Sequence, residues 1–266
     1  MRRLEIISLI IILLVACSRN EPGIQQGNCK PFYYSDTYQY PVLPGTDEWK
    51  KLNSLAEKVA VCQIPYQKLK SISTEGLLET LLSYPLIIDY VAFDEMQVGF
   101  NRIKTENNGF AELYERKNVY DVIYERYNLM SFDCEKNIYP PKTGDQYAPI
   151  GIAAQTLEFF IYQNDFLGKL EKDKKIAIFH LIYNKHIQKT EDKFANFGKL
   201  VSAAIMGKIM YGLNYKPFVD NCQKVKFIPF FIENIPTYRP SDVNPINIIE
   251  QYAKDFETLK FSTIGH

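Results

Sequence analysis

From Thr46 onward the apolar residues of this chain recur every three or four positions, the spacing of helices that each bury one face. Trp49, Leu52, Leu55, Ala56, Val59 and Ala60 fall on one stripe. Thr46 is placed as their N-cap, with Asp47 and Glu48 in the first turn, where the helix dipole favours acids. Ile64 and Pro65 close that element, and Pro65 suits the first turn of the next. Ser73 or Thr74 caps a further helix with Leu77, Leu78, Leu81 and Leu82 on one face, and Pro85 interrupts it. Shorter helical patterns follow over 93–103, 110–116 and 119–130. In the second half, 150–162 is strongly apolar, and 173–188 carries Ile176, Phe179, Tyr183 and Ile187 at helical spacing. The stripe over 199–213 is so wide that it predicts a central helix covered on most sides. Period does not assign the short run 227–232 to strand or helix. Asp242 is placed as the cap of a last helix that packs through Ile248, Ile249, Tyr252 and Phe256. The pattern predicts an all-α fold of many short helices, in an irregular bundle or an α-solenoid-like stack.

Two stretches lack this period. Residues 132–148 gather Asp133, Cys134, Asn137, Pro140, Pro141, Gly144 and Asp145, and read as a linker or functional loop between halves 46–131 and 149–266. Residues 17–45 read as a tether followed by an extended aromatic segment, because Pro41, Pro44 and Gly45 oppose a helix.

What precedes the tether is distinctive. Arg2 and Arg3 form a basic start, residues 6–14 are almost unbrokenly apolar, and Leu14-Val15-Ala16-Cys17 follows. The apolar run is about half the roughly 20 residues a membrane span needs. The segment resembles a bacterial lipoprotein signal. That resemblance implies removal of residues 1–16, a lipid on the Cys17 sulfur, and acylation of the new N-terminus. The mature chain is then held to the membrane of the cell envelope by its N-terminal lipid. Ser18 stands after the cysteine where an aspartate does not, which points to the outer membrane of a Gram-negative bacterium. In the body, Cys62-Gln63-Ile64-Pro65, Ser73-Thr74-Glu75 and Tyr84-Pro85-Leu86 are similar to a segment of uncharacterised lipoproteins and secreted proteins of the Bacteroidetes. The likeness covers residues 46–130, implies the same location, and carries no activity.

Composition narrows the functional classes. The 31 basic and 31 acidic residues balance and are interleaved, so no basic stripe points to nucleic acid. With Cys17 assigned to lipid, Cys29, Cys62, Cys134 and Cys222 remain, an even set that permits two disulfides in three connectivities in an oxidising compartment. Cys62 lies in an apolar helical stretch and reads equally as a small buried residue. None of the four has the spacing of a metal site, and no metal or cofactor is expected.

The aromatic content, 17 Phe, 19 Tyr and one Trp, raises a binding question. Tyr33, Tyr34, Tyr38, Tyr40 and Trp49 are candidate stacking platforms for sugars or a partner protein, set against the commoner use of such rings as packing. Nucleophile and phosphate-binding motifs are missing from the sequence. Of the histidines, His180 and His186 lie about 120° apart on a helix and do not share one metal. A Cys62/His180/Asp89 arrangement, or paired acids among Asp89, Asp94, Glu95 and Glu158, are the remaining catalytic candidates. The expected function is a non-catalytic binding or assembly component of the envelope, with an envelope protein or a glycan as partner. An envelope hydrolase acting on glycan or peptide, and a glycan-binding module, are the alternatives.

Overall fold

At the start of the helical body, side-chain caps rather than the length of the apolar stripe set where the helices begin. The computed structural model describes residues 32–134, 150–190, 194 and 198–261. Thr46 caps α1 (Asp47–Lys50) by accepting the Trp49 N–H, as the sequence predicts, but the stripe does not continue as one helix. Ser54 starts a second element, α2 (Leu55–Val61), through a capping box with Glu57, whose carboxylate accepts from the Ser54 and Asn53 backbones. Two well-satisfied caps within eight residues outweigh the continuous apolar period. α3 (Tyr66–Ser71) and α4 (Thr74–Leu82) follow, and Ser73, not Thr74, caps α4 by accepting from Gly76.

A 3₁₀ segment (Ile87–Ala92) leads to α5 (Met96–Glu106), α6 (Gly109–Glu115) and α7 (Val119–Asn128). The second half begins with α8 (Ile150–Tyr162), a π turn (Asn164–Gly168) and α9 (Lys172–Ile187). It continues with α10 (Leu200–Gly212), α11 (Lys216–Lys224), α12 (Phe227–Asn234) and α13 (Pro245–Phe261). The undecided run 227–232 is therefore helix. Asn244 takes the cap role that the sequence gives Asp242, its side chain accepting from the Asn247 N–H just before Pro245 opens α13. Among the described residues the fold is all-α, and its one β-type pairing is an isolated bridge between Glu95 and Pro236.

Helix α10 is the hub. α8, α9, α11, α12 and α13 all pack against it, an arrangement of a bundle rather than of stacked neighbours. Its small residues bring partners close, and a Cβ added at Gly207 would lie 2.6 Å from Ile232 of α12. The first half joins the same apolar core through aromatic rings. Phe100 of α5 stacks on Phe159 of α8 at 4.9 Å, and Phe110 of α6 lies 5.3 Å from Phe160. The proposed linker 132–148 falls largely outside the described residues.

The aromatic segment 32–45 is non-helical, with turns closed by the Thr37 N–H to Tyr34 carbonyl and Thr46 N–H to Leu43 carbonyl bonds, and it straps across α4. Asp36 accepts from the Ser73 backbone (2.6 Å) and hydroxyl (3.1 Å), and the Tyr38 N–H donates to Thr80. Gly76 has no room for a side chain beneath this strap, because a Cβ would overlap Asp36. Further along, Tyr40 is buried against Tyr84. At the near end the Arg126 guanidinium sits 3.9 Å from the Phe32 ring and pairs with Glu79 at 2.5 Å, a fully buried ion pair between α7 and α4.

Candidate functional site

A chain of polar groups runs from the first half through the second and ends at a cavity. It starts on α7, where the Tyr127 hydroxyl donates to Glu158 of α8 at 2.6 Å. Glu158 also accepts from Lys189, just past the end of α9, at 2.5 Å, and both side chains of this pair are fully buried. The other two Lys189 protons go to the Gly198 carbonyl (2.6 Å) and the Ser202 hydroxyl (2.9 Å). Ser202 lies in the first turn of α10, 2.8 Å from His186 Nδ1, and His186 Nε2 lies 2.8 Å from Glu250 of α13. Lys199 donates to the same Glu250 oxygen at 2.9 Å.

The charges fix the direction of each bond. Burial pushes the His186 imidazole down to about 4, so the ring is neutral at pH 7. The hydrogen bond from His186, and then that from Lys199, pull Glu250 down to about 2, so its carboxylate only accepts. His186 therefore carries its proton on Nε2 and accepts the Ser202 proton at Nδ1, while Ser202 accepts from Lys189. Burial lowers the Lys189 ammonium below the ordinary lysine value, and Glu158 opposes that shift.

Carboxylate, imidazole and hydroxyl are thus bonded in the order that activates a serine nucleophile. Ser202 is nevertheless fully buried, with its oxygen occupied by Lys189 and its proton by His186. A substrate carbonyl has no approach to that oxygen. The chain holds five helices in register; it does not present a nucleophile.

Above its outer end lies a cavity of about 730 Å³ between the start of α10, the segment after α12, and the start of α13. That volume suits a small organic molecule. Lys199, Arg239, Asn244, Asn247 and Glu250 supply polar groups, and Phe231, Tyr238 and Ile246 supply apolar surface. The wall over 235–239 is held in a costly conformation. Ile235, a buried β-branched residue, has φ 49°, in the left-handed region. Two bonds to the first half stabilise it there, Met96 N–H to the Ile235 carbonyl (3.1 Å) and Thr237 N–H to the Asp94 carbonyl (2.8 Å).

No known family, curated protein or solved structure matches this chain.

The residues singled out from the sequence do not converge here. Cys17 and Cys29 lie outside the described residues. Cys134 is disulfide-bonded, whereas Cys62 and Cys222 are buried free thiols, so two of the four cysteines do not form the permitted bridges. Both sit in apolar packing, and burial pushes each thiol up to about 11. Tyr33 is exposed, Tyr34 and Tyr38 are half-buried on the strap, and Tyr40 is in the core. Trp49 is half-buried under Lys58, so the five rings form no single platform.

The Cys62/His180/Asp89 arrangement is not assembled. The His180 ring nitrogens face Glu257 and Asn184, and Asp89 pairs with Arg102 at 3.8 Å. Glu95 forms the bridge to Pro236 with Asp94 beside it, and Glu158 alone of the candidate acids belongs to the central chain. Among the described residues no cluster of histidine, cysteine and acids is arranged to hold a metal ion. No described helix is long and apolar enough to cross a membrane.

Proposed function

We propose that the chain is a lipid-anchored protein of the cell envelope whose helical body binds a small polar molecule and does not transform it. The observation that carries this reading is the cavity bordered by Lys199, Arg239 and Glu250, whose inner wall is a polar chain with its reactive groups already engaged. A hydrolase needs its nucleophile or its acid pair facing the ligand. Here Ser202 and Glu158 are sealed beneath the wall, and Glu250 is held ionised by two donors. The anchor rests on Leu14-Val15-Ala16-Cys17 and the apolar run before it.

Two measurements test the reading. Acyl-chain labelling in cells is expected to mark the wild type and leave Cys17→Ser unlabelled and released from the membrane fraction. Thermal-shift screening of the purified full chain against small sugars, acids and peptides is expected to return ligands whose effect disappears when Ile246→Trp fills the cavity. Ligands that are consumed during the assay would refute the non-catalytic reading.

A further inference from the structure

We infer that the ligand of this cavity is an acidic sugar, a hydroxylated ring bearing a carboxylate. The inference rests on the binding reading above and names its chemical class. The argument starts from charge. Glu250 is the acid among the described lining residues, and its carboxylate is already engaged by Lys199 and by the His186 N–H. Arg239 also lines the cavity, is exposed, and has no ion-pair or hydrogen-bond partner among the described residues. Among the described residues the wall therefore carries one uncompensated cation, Arg239, whose planar fork of donors fits a carboxylate in bidentate fashion.

The remaining lining suits the rest of such a molecule. Asn244 and Asn247 bring amide groups to one side, and amides both donate to and accept from hydroxyls. Tyr238, half exposed and leaning on Phe230, offers a ring face for the C–H face of a sugar. Ring, amides and guanidinium are brought together by the segment 235–247, which the left-handed Ile235 and the bridge to Glu95 hold in place. A neutral apolar ligand would leave the Arg239 guanidinium desolvated without a partner, at a cost in affinity.

The test is calorimetric titration of the full chain, as Cys17→Ser, with glucuronate, galacturonate, glucose and acetate at low ionic strength. A uronate is expected to bind at least tenfold more tightly than glucose or acetate, with Arg239→Gln removing most of that preference and added salt weakening it. Tyr238→Ala is expected to weaken uronate and glucose alike. Equal affinity for glucose and a uronate, or a uronate affinity indifferent to Arg239→Gln, overturns the inference. So does a neutral compound that binds in the cavity when neither uronate does, and that result leaves the binding reading standing. Silence from every compound of the wider thermal-shift panel overturns both.

Discussion

The buried pair Glu158–Lys189 gives the sharpest test of how this fold is held together, through the substitution Lys189→Met. Methionine matches the lysine stem in length and leaves the apolar packing in place, so the change removes the charge and its three donors. Glu158 then keeps the Tyr127 hydroxyl as its one hydrogen bond. Its second oxygen already has no partner among the described residues. The Gly198 carbonyl and Ser202 oxygen each lose a donor in the same step. Removing one member of a fully buried pair costs about 3–5 kcal/mol, because the remaining charge is left uncompensated. For a domain of this size each kcal/mol lowers Tm by about 2–4 °C, so the variant is expected to melt roughly 6–20 °C lower. Urea denaturation followed by circular dichroism measures the same loss at 25 °C. Glu158→Leu combined with Lys189→Met removes both charges and is expected to recover at least half of it. A single variant within about 1 kcal/mol of wild type, or a double variant that loses the sum of both single effects, would refute the reasoning.

Acid is expected to destabilise the protein in a defined window. The folded His186 titrates near 4 and the unfolded one near 6.5, so between those values only the unfolded chain is protonated. Its contribution, about 3 kcal/mol at most, is complete above pH 6.5 and gone by pH 4. Glu250, pulled from 4.5 to about 2, extends the decline below pH 4.5, and His186→Gln should flatten the upper part of a stability-against-pH curve. Gly99→Ala is expected to cost about 1–3 kcal/mol, since its Cβ would meet the Tyr90 backbone at 2.7 Å, where little can give; an unchanged urea midpoint would contradict this. Cys62 and Cys222 are expected to resist a thiol reagent in the native Cys17→Ser protein and to react together on unfolding. Non-reducing peptide mapping of that variant is expected to recover Cys134 in a disulfide, and a free Cys134 thiol would contradict this.

The helical elements were largely written in the apolar period, and their interruptions were not. Leu77, Leu78, Leu81 and Leu82 mark α4 because one stripe faces one core, and the width of the α10 stripe announces a helix covered on most sides. The break between α1 and α2 was hidden because the apolar residues keep their spacing across it, while the Ser54–Glu57 capping box decides the matter locally. The central polar chain left no comparable trace. Glu158, Lys189, Ser202 and Glu250 come from three helices and a helix-end segment and are scattered over more than ninety positions. Lys189 at the end of a helix reads as an ordinary solvated basic residue. His186 was visible as a residue, but its partners are set by how α9, α10 and α13 pack. The one available signal was Ser202 inside an otherwise apolar run, a polar group that must find a partner if buried.

The strap over α4 also has a mechanical meaning. A pull applied to the chain at residue 32 meets the Arg126–Phe32 contact, then the Asp36–Ser73 bonds, then the Tyr38–Thr80 bond. These follow one another along the strap, so they yield in turn, and the last holdfast is Tyr40 in the core. Under such a pull the strap over α4 works as a strain relief, like the sleeve where a cable enters its housing.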